Sequence, residues 1–108
     1  MRLVDLRDLL LTIGPPVFHY FADGQTGSYI LWAEEREANS HDADNQKEIQ
    51  ALQGTIDYFT KTEFDPVINQ IQDKLDAVDI TWRLNSVQHE QDTKYIHYEW
   101  VWEVDGVG

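Results

Sequence analysis

Between Ile80 and Val104 the chain alternates apolar and polar residues almost without a break. Ile96, Tyr98, Trp100, Trp102 and Val104 fall on one side of the alternation, and Tyr95, His97, Glu99, Val101 and Glu103 on the other. Period-2 alternation over this length predicts a β-strand. The preceding arm sets Ile80, Trp82 and Leu84 on one face and Thr81, Arg83, Asn85 and Val87 on the other. Between the arms runs His89-Glu90-Gln91-Asp92-Thr93-Lys94, whose Asp and Thr bond nearby backbone and favour a turn. The pattern predicts an antiparallel hairpin roughly 33 Å long, at about 3.3 Å per residue. It holds three of the four tryptophans. A lone hairpin is marginal in water, so this aromatic face needs a cover from the rest of the chain.

Residues 2–13 predict an amphipathic helix. Leu3, Leu6, Leu10 and Ile13 recur at helical spacing with Val4 and Leu11 beside them, while Arg2, Asp5 and Asp8 take the other side. Gly14 suits the C′ position and Pro15-Pro16 forbid continuation. Residues 17–27 read as a short extended piece followed by a turn-rich loop containing Asp23-Gly24-Gln25-Thr26-Gly27. The next strand spans 28–35. Its early residues are apolar on both faces, so it is expected to be an interior strand covered on both sides. A polar loop follows at about 36–47, near the length at which loops are functional or disordered. It also fits the tip of a long hairpin with arms 28–35 and 48–60. The third strand runs from about Ile49 to Thr60. A second helix has Asp65 as candidate N-cap with Pro66 at N1, or starts one turn earlier at Thr62, and carries an apolar stripe of Val67, Ile68, Ile71, Leu75 and Val78. Asn69, Gln70, Gln72, Asp73 and Lys74 are expected to face water.

The expected fold is a single α+β domain over 1–108. A mostly antiparallel sheet of about four strands carries two helices packed on one face, in the order helix-strand-strand-helix-strand-strand.

Charge sharpens this picture. The net charge is −12, with 20 acidic residues against 8 Lys and Arg. The basic residues are scattered singly, and a nucleic-acid binder shows a basic patch or stripe. Direct binding to nucleic acid or to anionic membranes is therefore not expected. No stretch approaches the ~20 apolar residues that span a bilayer. Asp5 and Asp8 interrupt the N-terminal leucines, so no signal peptide is expected either. With no cysteine in the chain, disulfides, a thiol nucleophile and thiolate metal sites are excluded.

Candidate chemistry is thin. His41, Asp42, Asp44 and Asn45 resemble metal ligands. Counted from Asp42, however, Lys47 takes the glycine position of a calcium loop and Gln53 the bidentate acid position. His89 and His97 lie on the two arms of the hairpin and could meet across it, but no third ligand has a useful spacing. His97 beside Glu99 reads as a solvated histidine. Ser28, Ser40 and Ser86 lack a nucleophile-elbow context. The sequence predicts no cofactor, no metal and no enzymatic activity.

The segments Tyr29-Ile30-Leu31-Trp32, Gln53-Gly54-Thr55-Ile56-Asp57-Tyr58-Phe59-Thr60, Trp82-Arg83-Leu84-Asn85-Ser86-Val87-Gln88 and Tyr95-Ile96-His97-Tyr98-Glu99-Trp100, with the helix ending near Leu75 between them, form a pattern covering nearly the whole chain. It resembles small tail-completion proteins of tailed bacteriophages and prophages, of the tail-terminator and head–tail joining group. The resemblance implies a virion protein that forms a ring, commonly of six subunits, at the head-proximal end of the tail tube. Its partners would be other tail and connector proteins. The acidic charge would let DNA pass the ring without sticking. The isolated protein is expected to be a monomer. Glu37, Asp42, Asp44, Arg83 and Lys94 are the candidate subunit-interaction residues, with Arg83 and Lys94 pairing with a neighbour's acids. The alternative reading is an acidic module or inhibitor acting on a host protein.

Overall fold

The computed structural model describes residues 1–38 and 51–105. Helix α1 (Leu3–Leu11) buries Leu6 and Leu10 completely. Its N-terminus is closed by Asp5, which accepts from the Arg2 N–H at 3.0 Å. Thr12 ends it two residues before Gly14, donating Oγ1–H to Leu9 O at 2.6 Å. Gly14 then makes the turn at φ +131°, a conformation open to glycine at little cost.

The strands are β1 (Val17–His19), β2 (Tyr29–Glu37), β3 (Ala51–Thr60), β4 (Thr81–His89) and β5 (Ile96–Asp105), with helix α2 (Val67–Asp76) between β3 and β4. They form one sheet in the order β1-β2-β3-β5-β4. This corrects the expected sheet of about four mostly antiparallel strands and its element order. Among the described residues the sheet has five strands and is mixed, because β1 pairs parallel to β2, Val17 with Ile30 and His19 with Trp32. The extended piece after Pro15-Pro16 is only three residues long, too short to show an alternation. Its pairing is set by tertiary contact, and Ile30 N–H to Pro16 O (2.8 Å) and Tyr20 N–H to Trp32 O (2.9 Å) extend it at both ends.

The remaining pairings are antiparallel. β2 runs past the expected strand end, so Arg36 pairs with Gln53 and Glu37 with Leu52, the start of the expected loop being the arm of a hairpin. A bulge between Glu34 and Arg36 keeps this register. Opposite it lies Gly54, where a Cβ would run into the Ala33 carbonyl and the Trp102 ring. Only glycine lets the backbones and the indole approach this closely. A second bulge between Leu84 and Ser86 moves Val87 to the Tyr98 side of the sheet, against the face expected from uninterrupted alternation.

Both helices lie on the same face. Leu6 and Leu10 from α1 and Ile71 and Leu75 from α2 meet Ile30, Trp32, Ile56, Tyr58, Trp100, Trp102 and Val104 in one buried cluster. Two indole N–H groups tie α2 to the sheet: Trp100 donates to Gln72 Oε1 at 3.1 Å and Trp82 to Asp76 Oδ1 at 3.0 Å. Gln72 therefore faces the core edge, not water. Trp32 and Trp102 are also buried, and their Nε1 atoms have no hydrogen-bond partner among the described residues. Both indoles are held by packing alone. Among the described residues β2 is interior only over 30–32, where β1 flanks it, and no helix covers its second face.

Candidate functional site

The face of the sheet away from the helices carries a transverse row of rings. Tyr29, Phe59 and His97 occupy one level of the register, on β2, β3 and β5. Tyr29 stacks on Phe59 at 4.6 Å between ring centroids, and Phe59 stacks on His97 at 4.1 Å. Phe18 on β1 meets the edge of Tyr29 at 6.1 Å. All four are half-buried. Tyr95 closes one end of the row, edge-on to both Tyr29 and Phe59, with the Lys61 ammonium 4.9 Å above its own ring. Its hydroxyl lies within hydrogen-bond reach of Gln25 O (3.0 Å) and Gly27 O (2.8 Å), which anchors the β1–β2 connection beneath the hairpin turn.

Acids surround the row. His97 Nε2 lies 2.6 Å from Asp57 Oδ1, and its Nδ1 is 3.9 Å from Glu90 Oε2. Burial pushes the imidazole pKa down, but the hydrogen bond and charge of Asp57, with Glu90 and Glu99 nearby, outweigh it and hold the value above the ordinary 6.5. His97 is thus a partly buried, paired histidine and not the solvated one expected from its place beside Glu99. His89 and His97 do not meet. His89 pairs with Ile96 and His97 with Gln88, so the two rings sit on opposite faces.

A second ring cluster lies at the β1 edge, on the helix side. His19 is sandwiched between Tyr20 (4.1 Å) and Trp32 (4.0 Å), with its Nε2 2.6 Å from Glu34 Oε1. For Glu34, burial raises the carboxyl pKa, but hydrogen bonds from its own backbone, His19 and Tyr20 bring it below the ordinary 4.5. A cavity of about 210 Å³ beside it is lined by Leu3, Val4, Arg7, His19, Trp32 and Glu34.

The residues expected at subunit contacts are dispersed. Glu37 is exposed at the far end of β2. Arg83 is exposed on edge strand β4, level with Val101, and donates to Asn85 Oδ1 at 2.8 Å, while Asn85 donates to Glu99 at 2.8 Å. Lys94 sits in the β4–β5 turn at φ +67°. Glu37 is level with Val104 through Leu52, so Lys94 lies at the opposite end of the strands, roughly 30 Å away along β5 at about 3.3 Å per residue. Asp42 and Asp44, with His41 and Asn45, lie outside the described residues. Sequence reasoning missed the aromatic row because each ring alternates with core residues on its own strand. The strand register, which no single segment reveals, is what aligns them.

No family model matches the chain, and no curated protein matches it in sequence. Among the described residues no helix is long and apolar enough to cross a membrane.

Proposed function

We propose that this protein is a structural, non-catalytic subunit of a tailed phage or prophage. It caps the head-proximal end of the tail tube as a ring and joins tail to head. The resemblance of the strand and helix segments supplies the reading. The structural observation that carries it is the unfinished sheet. One face holds a half-buried aromatic row with no helix over it among the described residues. The sheet also ends in the nine-residue edge strand β4, which among the described residues pairs with β5 alone and exposes Leu84 and Val87. Long exposed edges and apolar faces are surfaces on which another chain assembles. The net charge of −12 suits a ring around passing DNA, which it repels. Its place would be the virion neck.

The test mixes purified protein with isolated tail tubes and images them by electron microscopy. Density at one tube end only, with tube growth stopped, supports the reading. Tubes that stay bare and keep growing overturn it. Capture of a single host protein in place of tubes would favour the inhibitor alternative.

A further inference from the structure

Phe64 stands almost wholly in solvent, 95 % exposed, on the short segment joining β3 to α2. Its backbone is left-handed, at φ +53°, a conformation that costs a non-glycine residue roughly 1–2 kcal/mol. The flanking contacts hold it there. Asp65 is buried and accepts from Tyr58 Oη at 2.7 Å, Thr60 Oγ1 at 2.7 Å and the Val67 N–H at 2.9 Å. On the other side the Thr62 N–H donates to Thr60 Oγ1 at 3.1 Å. The backbone therefore presents the ring outward from a fixed position, as an apolar knob. Aromatic anchors of this kind dominate interface energetics, and a backbone already held loses no freedom when one seats.

A hole lies at the other end of the same helix. The C-terminal end of α1 and the later turns of α2 border an open depression of about 290 Å³, lined by Thr12, Ile13, Gln70, Asp73, Lys74 and Ala77. A cavity of about 150 Å³ accommodates benzene, so this one has room for a phenyl ring. The charges match as well. Exposed Glu63 flanks the knob and exposed Lys74 rims the depression, so Glu63 of one copy can face Lys74 of the other.

We infer that Phe64 of one copy of this chain seats in the α1–α2 depression of a second copy. Knob and hole are different patches, so the contact is a head-to-tail one that repeats around a ring if the rotation closes. It names the contact between copies that the proposed ring needs, and it rests on that reading only for where the contact is used. One aromatic anchor buries far less than the roughly 1,600 Å² of a standard stable interface. The contact is therefore weak in solution and dominant only where copies are aligned.

The test uses the isolated full chain, without tail tubes, at high concentration and raised salt. Phe64 is replaced by a photoreactive benzoyl-phenylalanine, and cross-linked peptides are mapped after irradiation. Expected are intermolecular links from position 64 to residues 11–13 or 70–77. Links confined to other segments, or no linked dimer, overturn the inference. In parallel, Phe64→Ser should weaken self-association in sedimentation by about fivefold or more while its melting temperature does not fall. Association unchanged in Phe64→Ser also overturns it. The two readings separate cleanly: correct cross-links with no binding to tube ends would keep the contact and remove the tail assignment. Tube binding by both proteins, without those cross-links, would do the reverse.

Discussion

Asp65 shows how much one side chain can hold. Its carboxylate caps α2 through the Val67 N–H and satisfies two buried hydroxyls, Tyr58 and Thr60. Burial alone would raise its pKa, but the bonds from Thr60, Val67 and Tyr58 prevail and bring it below 3.8. The same partner, with burial as the larger cause, pushes the Tyr58 phenol up to about 12. Asp65→Ala loses a cap and strands two donors, so it should cost about 2–4 kcal/mol in urea unfolding at neutral pH. A depressed carboxyl contributes stability that is present above the unfolded pKa and lost as pH falls through the folded one. The stability gap between wild type and Asp65→Asn should therefore hold at pH 7 and shrink below about pH 4. Next to it, Phe64→Gly removes the left-handed penalty and should raise stability by about 1 kcal/mol, read as a higher melting temperature. The N-cap role of Asp65 was legible from Asp-Pro before an apolar stripe. The knob was not, because nothing local marks a phenylalanine for positive φ.

At the scale of elements, the long alternations in β3 and β5 were readable because a sheet with one covered face forces period 2 on its strands. Three features escaped. β1 is too short to carry a period, and each of the two bulges inserts a residue that shifts faces without any change in composition. The aromatic row belongs to the same class, since it exists only once β2, β3 and β5 are in register. Its ionic end is testable. The folded pKa of His97 lies above the ordinary 6.5. The stability from its pairing with Asp57 is thus fully present below the unfolded value and lost as pH rises through the folded one. Wild type should hold its advantage over His97→Gln in urea melts below the ordinary 6.5 and lose it as pH rises above that value. An advantage that grows with pH would mean the pair does not stabilise the charged ring.

For the whole molecule, charge sets the terms of association. Six copies at −12 would place about 72 negative charges in one ring, and the Debye length at physiological salt is about 8 Å. Touching neighbours still repel, so the isolated protein should sediment as a monomer at micromolar concentration and self-associate as salt is raised. A stable oligomer at low salt would contradict this balance. The sheet order carries one more consequence, and it concerns time. β2 with β3 and β4 with β5 are neighbours along the chain, but the central seam joins Ala51 to Asp105 and Thr60 to Ile96, across α2 and β4. Pairing between strands so distant in sequence pays its loop-closure entropy before the tryptophan core repays it, and such topologies fold in milliseconds to seconds. Until the seam closes, β3 and β5 each present an open edge to any other newly made copy. Copies made at the same time thus pass through an interval in which pairing with the wrong neighbour competes with pairing within one chain.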